Sequence, residues 1–195
     1  MAEEPPIVVG VSGASGTPIA LRVLRALKEE RVPVALVVSE GARSVLREEC
    51  ALELDALRPL VGQLYDDGDF SAPIASGSRR TRGMVVVPCS SNTVAKIALG
   101  IGDSLLTRVA HVHLKERRPL IVVPRETPLP TVMLRHLTTL SELGVVVLVA
   151  SPAYYLHPTS IEDVTDYLAG KVLDHLGVPQ QLYRGWKEEA RSDRG

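Results

Sequence analysis

Five short runs of aliphatic and β-branched residues recur along the chain, each apolar without alternation. They span residues 7–11, 34–38, 84–87, 120–123 and 145–149. A strand that is covered on both faces shows this continuous pattern, because neither face needs polar side chains. The runs therefore predict a parallel β-sheet that is buried between two layers.

Patterns typical of amphipathic helices separate these runs. The first begins at Thr17, expected as its N-cap, and others begin at Asp103, after Pro130 and at Ser160. Strands that alternate with helices predict a three-layer α/β fold, flavodoxin-like or Rossmann-like, with a mostly parallel sheet. We expect a single domain over residues 1–195, with a polar tail after about residue 187.

Composition and charge exclude several classes of protein. The 195 residues include 22 basic and 23 acidic side chains, for a net charge of -1, so no general attraction to nucleic acid or anionic membranes is expected. The apolar run 145–150 is far shorter than the roughly 20 residues that span a bilayer. Two cysteines without a C-x-x-C pair, and an acidic start without a leader, predict a soluble cytoplasmic protein without a metal site.

The first predicted strand is followed by a glycine-rich segment. Residues 10–17 read GVSGASGT, which is neither a P-loop nor a complete G-x-G-x-x-G pattern. The segment fits either a tight turn with a helix cap or a site for an anion at the helix N-terminus. The hydroxyls of Ser12 and Ser15 favour a phosphate or another polar ligand.

The next two strand ends also carry hydroxyl groups. Ser39 follows the second strand, and the sequence PCSSNT at 88–93 follows the third. These hydroxyls suit either helix capping or binding of a phosphate or a ribityl chain. Cys89 is expected to be a packed thiol rather than a nucleophile, because no histidine partner is apparent.

Ionisable residues and tyrosines follow the last two predicted strands. Arg125 and Glu126 lie between prolines, where they suit phosphate binding and proton transfer, or alternatively a local ion pair. Lys115 ends a helix, where a cation favours a structural role. Tyr154 and Tyr155 are notable in a chain with only 4% aromatic residues.

These segments together resemble a known family. The residues that carry the resemblance are GVSGASG at 10–16, PCS at 88–90, LLTR at 105–108, LKERRPL at 114–120, PRETPL at 124–129, YY at 154–155 and HP at 157–158. In this order and spacing they are similar to the UbiX-type flavin prenyltransferases, from about Ile7 to Trp186.

The resemblance implies an enzyme that binds reduced FMN and joins to it a dimethylallyl group from dimethylallyl phosphate, between nitrogen 5 and carbon 6 of the flavin. The product, prenylated FMN, would serve a UbiD-type decarboxylase as its cofactor. The family forms homo-oligomers, typically dodecamers, with sites at subunit contacts. The residues that the resemblance assigns to FMN are Gly13, Ala14, Ser15, Ser39, Ser90, Ser91, Asn92, Thr93, Arg108 and Arg125.

The resemblance also implies a substrate-binding and a catalytic set. The substrate set is Lys115, Arg125, Glu126, Tyr155, Lys171 and Trp186, and the catalytic set is Ser15, Glu49, Lys115, Glu126 and Tyr155. Cations at Lys115, Arg125 and Lys171 would stabilise the departing phosphate without Mg²⁺. Glu126, or the phosphate itself, would take the proton released on ring closure, and Glu49 with Ser15 would manage the proton at flavin nitrogen 5.

This chain departs from the family pattern at three places. Thr17-Pro18-Ile19 stand where many members carry a tyrosine, Asn92 replaces a basic or small residue, and Lys171 replaces an arginine of several members. A lysine lacks the fork of an arginine, so this substitution is expected to weaken phosphate binding.

Two other functions remain open from the sequence. The segment PCSSNT resembles the PASANT motif of FMN-dependent cysteine decarboxylases, although no match to their substrate-binding motif is found. A flavin storage or delivery protein would bind the same cofactor but would not need Glu49, Lys115, Glu126 and Tyr155 together.

Overall fold

A six-stranded sheet forms the centre of the computed structural model, which describes residues 4–185. The strands are β1 (Ile7–Val11), β2 (Val34–Val38), β3 (Gln63–Asp66), β4 (Gly83–Cys89), β5 (Leu120–Pro124) and β6 (Val146–Val147). They are all parallel, in the order β3-β2-β1-β4-β5-β6. The sheet confirms the predicted three-layer α/β fold.

Helices cover both faces of the sheet. They are α1 (Thr17–Glu29), α2 (Glu40–Cys50), α3 (Ser91–Ala98), α4 (Leu105–Lys115), α5 (Thr131–Glu142) and α6 (Ile161–Leu176). One core lies between the sheet and α1, α2 and α6, and the other between the sheet and α3, α4 and α5. Neighbouring strand residues alternate between the two cores, as Val85 and Val86 do, because successive side chains of a strand point to opposite faces.

The structure corrects the sequence prediction in several places. Strand β3 was not predicted, and its four residues are all partly or fully exposed at the edge of the sheet. Helix α2 was not predicted either, and only two of its residues are buried. Thr17 is not the N-cap of α1, because Gly16 holds that position with a φ of 115°. Helix α4 begins after Ser104 rather than at Asp103.

The long irregular stretch between β3 and β4 is attached to helix α4. The backbone oxygen of Asp67 accepts a hydrogen bond from Leu105 N at 2.7 Å, and its carboxylate accepts one from Leu106 N at 2.8 Å. Further along, Arg118 donates to the carbonyl oxygens of Arg79 and Gly77 at 2.8 and 2.6 Å. The stretch is therefore an ordered part of the fold that also brings Asp67 to the carboxyl edge of the sheet.

None of the helices between residues 4 and 185 combines the length and the apolar composition that crossing a bilayer requires. The predicted polar tail and Trp186 lie outside the described residues.

Candidate active site and cofactor cleft

Three helices begin around one cleft at the carboxyl edge of the sheet. Their N-caps are Ser39 for α2, Ser90 for α3 and Ser104 for α4, and each serine oxygen accepts a hydrogen bond from the backbone N–H three residues later, at 3.3 to 3.4 Å. Free N–H groups and aligned peptide dipoles give the starts of α2 and α3 a partial positive charge. At α4 the first three N–H groups already donate to Asp67 and Ser104. The cleft has a volume of about 370 Å³ and is suited to an anion.

Five residues that the sequence assigned to FMN line this cleft together. The full lining comprises Gly13, Ser39, Gly41, Asp67, Ser90, Asn92, Thr93, Lys96, Ser104, Leu106 and Thr107. Lys96 adds a cation, although it is paired with Asp103 at 2.8 Å. Sequence reasoning missed Lys96, Asp67 and Ser104. The available signal for Ser104 was its spacing from Thr107, because these two residues form a reciprocal capping box.

Glycines allow two of these loops to touch. A Cβ atom on Gly13 would lie 3.1 Å from the backbone of Gly41 at the start of α2, which is closer than ordinary van der Waals contact. The β1–α1 loop can therefore pack directly against α2, and this packing forms one wall of the cleft.

Ser12 has a structural role, which corrects the suggestion that its hydroxyl favours a ligand. The side chain is 2% exposed; its Oγ donates to Pro88 O at 3.0 Å and accepts from Ser90 N at 2.7 Å. Ser12 thus fixes the β4–α3 loop to the end of β1. Cys89 is a packed thiol, as expected, and burial raises the pKa of this thiol far above its usual value.

A second pocket, also of about 370 Å³, lies beside the β1–α1 loop. Three predicted site residues meet there, namely Ser15, Glu49 and Arg125, and Arg125 Nε donates to Ser15 O at 3.4 Å. The rest of the lining is mainly apolar: Gly16, Pro18, Ile19, Ala150, Ile161, Val164, Thr165 and Leu168. The pocket therefore offers a cation beside a hydrophobic wall.

Glu49 caps helix α1 from the end of another helix. Its carboxylate accepts hydrogen bonds from Gly16 N at 3.0 Å and Thr17 N at 2.9 Å. Burial raises the pKa of Glu49, but bonds from the Ser15 hydroxyl and these two N–H groups outweigh burial and hold the pKa below its usual value. The carboxylate is therefore ionised near neutral pH and is better suited to holding the Ser15 hydroxyl than to taking up a proton.

Glu126 lies between the ends of β4 and β5. Its carboxylate accepts hydrogen bonds from Ser91 Oγ at 3.3 Å and from Thr127 N at 3.1 Å, and its side chain is half-buried. Through Ser91 it is connected to the start of α3 at the first cleft, and through its neighbour Arg125 to the second pocket. Glu126 thus lies between the two.

Arg108 and Lys115 do not line either of these two cavities. Helix α4 starts at the carboxyl edge and runs to the opposite edge, so Lys115 lies about 15 Å along the helix axis from its start. Lys115 forms an ion pair with Glu116, and Arg108 donates to Ala75 O at 3.3 Å. Within one chain, the structure does not bring these two predicted residues to the cofactor cleft or the second pocket.

Tyr155 and Lys171 belong to a separate cluster. Tyr155 interacts with Tyr167, and Lys171 Nζ lies 3.9 Å from a carboxylate oxygen of Asp174. Helix α6 turns its residues Ile161, Val164 and Leu168 to the second pocket, and Lys171, one turn beyond Leu168, does not line it. Ala14 is buried in the β1–α1 loop, and Trp186 lies outside the described residues.

No three His, Cys, Asp or Glu side chains within residues 4–185 are grouped as metal ligands.

The fold and the two cavities define an α/β protein that gathers helix N-termini at one sheet edge to hold a phosphorylated ligand. A family model described as Flavoprotein matches residues 1–173. A curated relative from Thermoplasma acidophilum, named flavin prenyltransferase UbiX, is 49% identical over 180 residues, which cover 92% of this chain and 99% of the relative. The chain therefore belongs to the UbiX flavin prenyltransferase family of flavoproteins.

Two solved structures support this assignment. The crystal structure of AnUbiX (PadA1) in complex with FMN and dimethylallyl pyrophosphate matches with a TM-score of 0.90 and 37% identity, covering 95% of this chain and all of that one. A dodecameric FMN-dependent UbiX-like decarboxylase from Escherichia coli O157:H7 matches with a TM-score of 0.91 and 38% identity, covering 93% of this chain and 99% of that one.

The cysteine decarboxylases share the fold at a greater distance. The peptidyl-cysteine decarboxylase EpiD matches with a TM-score of 0.65 and 19% identity. This level of identity indicates a common architecture only, so the similarity favours the prenyltransferases over the alternative that the PCSSNT segment had left open.

Replacing Glu49 by alanine is expected to destabilise the fold. The variant leaves two N–H groups at the start of α1 without their acceptor, which we expect to lower the free energy of unfolding by about 1 kcal/mol at pH 7. Because the folded pKa lies below the unfolded value of 4.5, the wild-type advantage is full above pH 4.5 and is lost as the pH falls through the folded pKa. Urea unfolding at several pH values measures this difference.

The matched control is Glu48→Ala, which removes the adjacent exposed carboxylate of α2. This variant should retain wild-type stability to within a few tenths of a kcal/mol at every pH. Equal stability of the Glu49→Ala and Glu48→Ala proteins would show that Glu49 does not act as the cap of α1.

Proposed function

We propose that the protein is a flavin prenyltransferase that joins the dimethylallyl group of dimethylallyl phosphate to reduced FMN and produces prenylated FMN. The observation that carries the proposal is the pair of adjacent cavities at one sheet edge. One is lined by helix N-termini, and the other combines Arg125 with an apolar wall. The AnUbiX relative, crystallised with FMN and dimethylallyl pyrophosphate, supports this pairing of ligands.

The first cleft fits the phosphate and the ribityl chain of FMN. The N-termini of α2 and α3 supply N–H groups and positive dipole ends, and the hydroxyls of Ser39, Ser90 and Thr93 supply further polar contacts. Gly13, Ala14 and Ser15 lead from this cleft to the second pocket and would lie along the flavin ring. Reduced FMN, when bound, supplies the ring that accepts the prenyl group.

The second pocket fits the donor substrate. Its apolar wall, formed by Ile19, Val164 and Leu168, suits the dimethylallyl chain, while the Arg125 guanidinium can bind the phosphate. When the allylic carbon–oxygen bond breaks, its electron pair leaves with the phosphate oxygen. The positive charge of Arg125 stabilises this developing anion, so the site needs no metal ion for the step.

Glu126 is the proposed proton acceptor. Its Oε2 atom receives a hydrogen bond from Ser91, which orients the carboxylate between the two cavities. Glu49 instead fixes the Ser15 hydroxyl and the start of α1 and remains ionised. The two carboxylates therefore take different roles, although the sequence assigned proton management to both.

We further propose that the protein forms a homo-oligomer, of the dodecameric kind found for the Escherichia coli relative, with residues of neighbouring chains completing each site. The second pocket of a single chain is not lined by Lys115, Tyr155 or Lys171, which supports this arrangement. Light scattering should give a particle several times the mass of one 21.1 kDa chain; a monomer would contradict the arrangement.

We propose the cytoplasm as the location of the protein and a UbiD-type decarboxylase as the recipient of the product.

The activity is tested by product formation. Protein incubated anaerobically with reduced FMN and dimethylallyl phosphate should yield a flavin that is heavier by one prenyl unit, as measured by mass spectrometry. An unchanged flavin mass would contradict the proposal. Decarboxylation of a peptide with a C-terminal cysteine would instead assign the protein to the alternative class.

The role of Glu126 is tested by Glu126→Gln, which retains the size and a hydrogen-bond acceptor but removes the base. We expect the rate of prenylation to fall by about 10²-fold or more, with FMN affinity unchanged. Glu142→Gln, at the exposed end of α5, is the matched control and should keep the wild-type rate. A wild-type rate in Glu126→Gln would exclude Glu126 as the base.

A further inference from the structure

The segment that follows α6 folds back across that helix. Gly170 makes this possible, because a Cβ atom there would lie 2.5 Å from Cδ1 of Tyr183 and 3.1 Å from Oε1 of Gln180. The ring of Tyr183 therefore packs directly on the backbone of α6, one residue before Lys171. The absence of a side chain at position 170 determines which residues can approach the lysine.

The Asp174 carboxylate is held on both oxygens by this returning segment. Tyr183 Oη donates to Asp174 Oδ2 at 2.5 Å, and Gln180 Nε2 donates to Oδ1 at 3.2 Å. Gln180 is fixed in turn, since its Oε1 accepts hydrogen bonds from the backbone N–H groups of Leu182 and Tyr183 at 2.7 and 3.4 Å. The carboxylate of Asp174 thus has a defined position rather than that of a free surface group.

Lys171 lies beside this fixed carboxylate. Its Nζ atom is 3.9 Å from Asp174 Oδ2, the same oxygen that Tyr183 contacts. At this distance the pair attracts by charge without forming a short hydrogen bond, so the three N–H donors of the ammonium remain available to another anion.

The same cluster extends to Tyr155. The rings of Tyr183 and Tyr167 are 5.1 Å apart at an angle of 75°, an edge-to-face arrangement, and Tyr167 interacts with Tyr155. Burial and the bond to Asp174 raise the pKa of Tyr183, so its hydroxyl remains a donor. Both Lys171 and Tyr155, the residues that the resemblance assigns to dimethylallyl phosphate, are therefore connected to Tyr183.

We propose that Asp174 and Tyr183 are positioning residues that hold the Lys171 ammonium where it meets the phosphate of dimethylallyl phosphate; this inference rests on the proposed function. Lysine is a point charge on a flexible four-carbon chain, whereas the arginine of several family members has a rigid fork. The fixed carboxylate restricts the lysine chain before substrate arrives, which reduces the entropy lost on binding.

The sign of the effect separates this role from a simple electrostatic one. A carboxylate near a phosphate site repels the phosphate, so by charge alone Asp174→Asn should tighten binding of dimethylallyl phosphate. If Asp174 positions Lys171, the same substitution weakens binding, because the ammonium is no longer restrained.

The experiment measures dimethylallyl phosphate binding to FMN-loaded oligomeric protein by isothermal titration calorimetry, together with steady-state prenylation. We expect Asp174→Asn to raise Kd and KM about tenfold, and Tyr183→Phe to raise them about threefold, with kcat within about twofold of wild type. The double variant Asp174→Asn/Lys171→Arg should have a Kd within about twofold of that of the single variant Lys171→Arg. The guanidinium is rigid, so it does not need the restraint that Asp174 gives the lysine.

Asp166→Asn is the matched control, since Asp166 is also a carboxylate of α6 and pairs with Arg22 at 2.5 Å. It should leave Kd unchanged. Tyr183→Phe keeps the ring on Gly170, so it tests the inference even where Asp174→Asn fails to fold. Unchanged or tighter binding in Asp174→Asn or Tyr183→Phe would overturn the inference. Weakened binding in these variants, alongside a wild type that binds but forms no prenylated flavin, would support the positioning role and overturn the proposed function.

Discussion

The common direction of the six strands is the constraint on which the site depends. Parallel strands joined through helices bring every strand end to one edge and start the following helices there. Three of those helices begin at capping serines around a single cleft, and the free N–H groups of α2 and α3 concentrate partial positive charge there in a chain whose net charge is only -1. Local phosphate binding therefore needs no basic surface. Because α4 runs back from this edge to the opposite one, Lys115 at the end of α4 lies far from the cleft.

Polar contacts between loops set the shape of this edge. Ser12 joins the end of β1 to the β4–α3 loop, Glu49 joins α2 to the start of α1, and Glu126 joins the end of β5 to α3. Each contact holds backbone or hydroxyl groups of these loops in a defined position. The site thus depends on residues that support the ligand-facing groups as well as on those groups themselves.

The sequence predicts the buried strands and the amphipathic helices well, because periodicity records burial. It misses β3 and α2, which have little buried surface: the residues of β3 are partly or fully exposed, and α2 buries only Ala42 and Leu46. The residues of the two cavities were found largely through the family resemblance. The different roles of Ser12 and Ser15, which look alike in the sequence, depend on tertiary contacts, and so does the lowered pKa of Glu49.

The cap of α1 also has a consequence for the order of folding. Gly16 has no side chain to cap the helix, and the acceptor for Thr17 N comes from Glu49, 32 residues further along the chain. The cap of the first turn of α1 therefore forms only when α2 docks, since a local helix nucleus lacks this partner. A glycine-rich turn into a helix looks like a local element, but here the hydrogen bonds at its ligand-facing end depend on the tertiary structure.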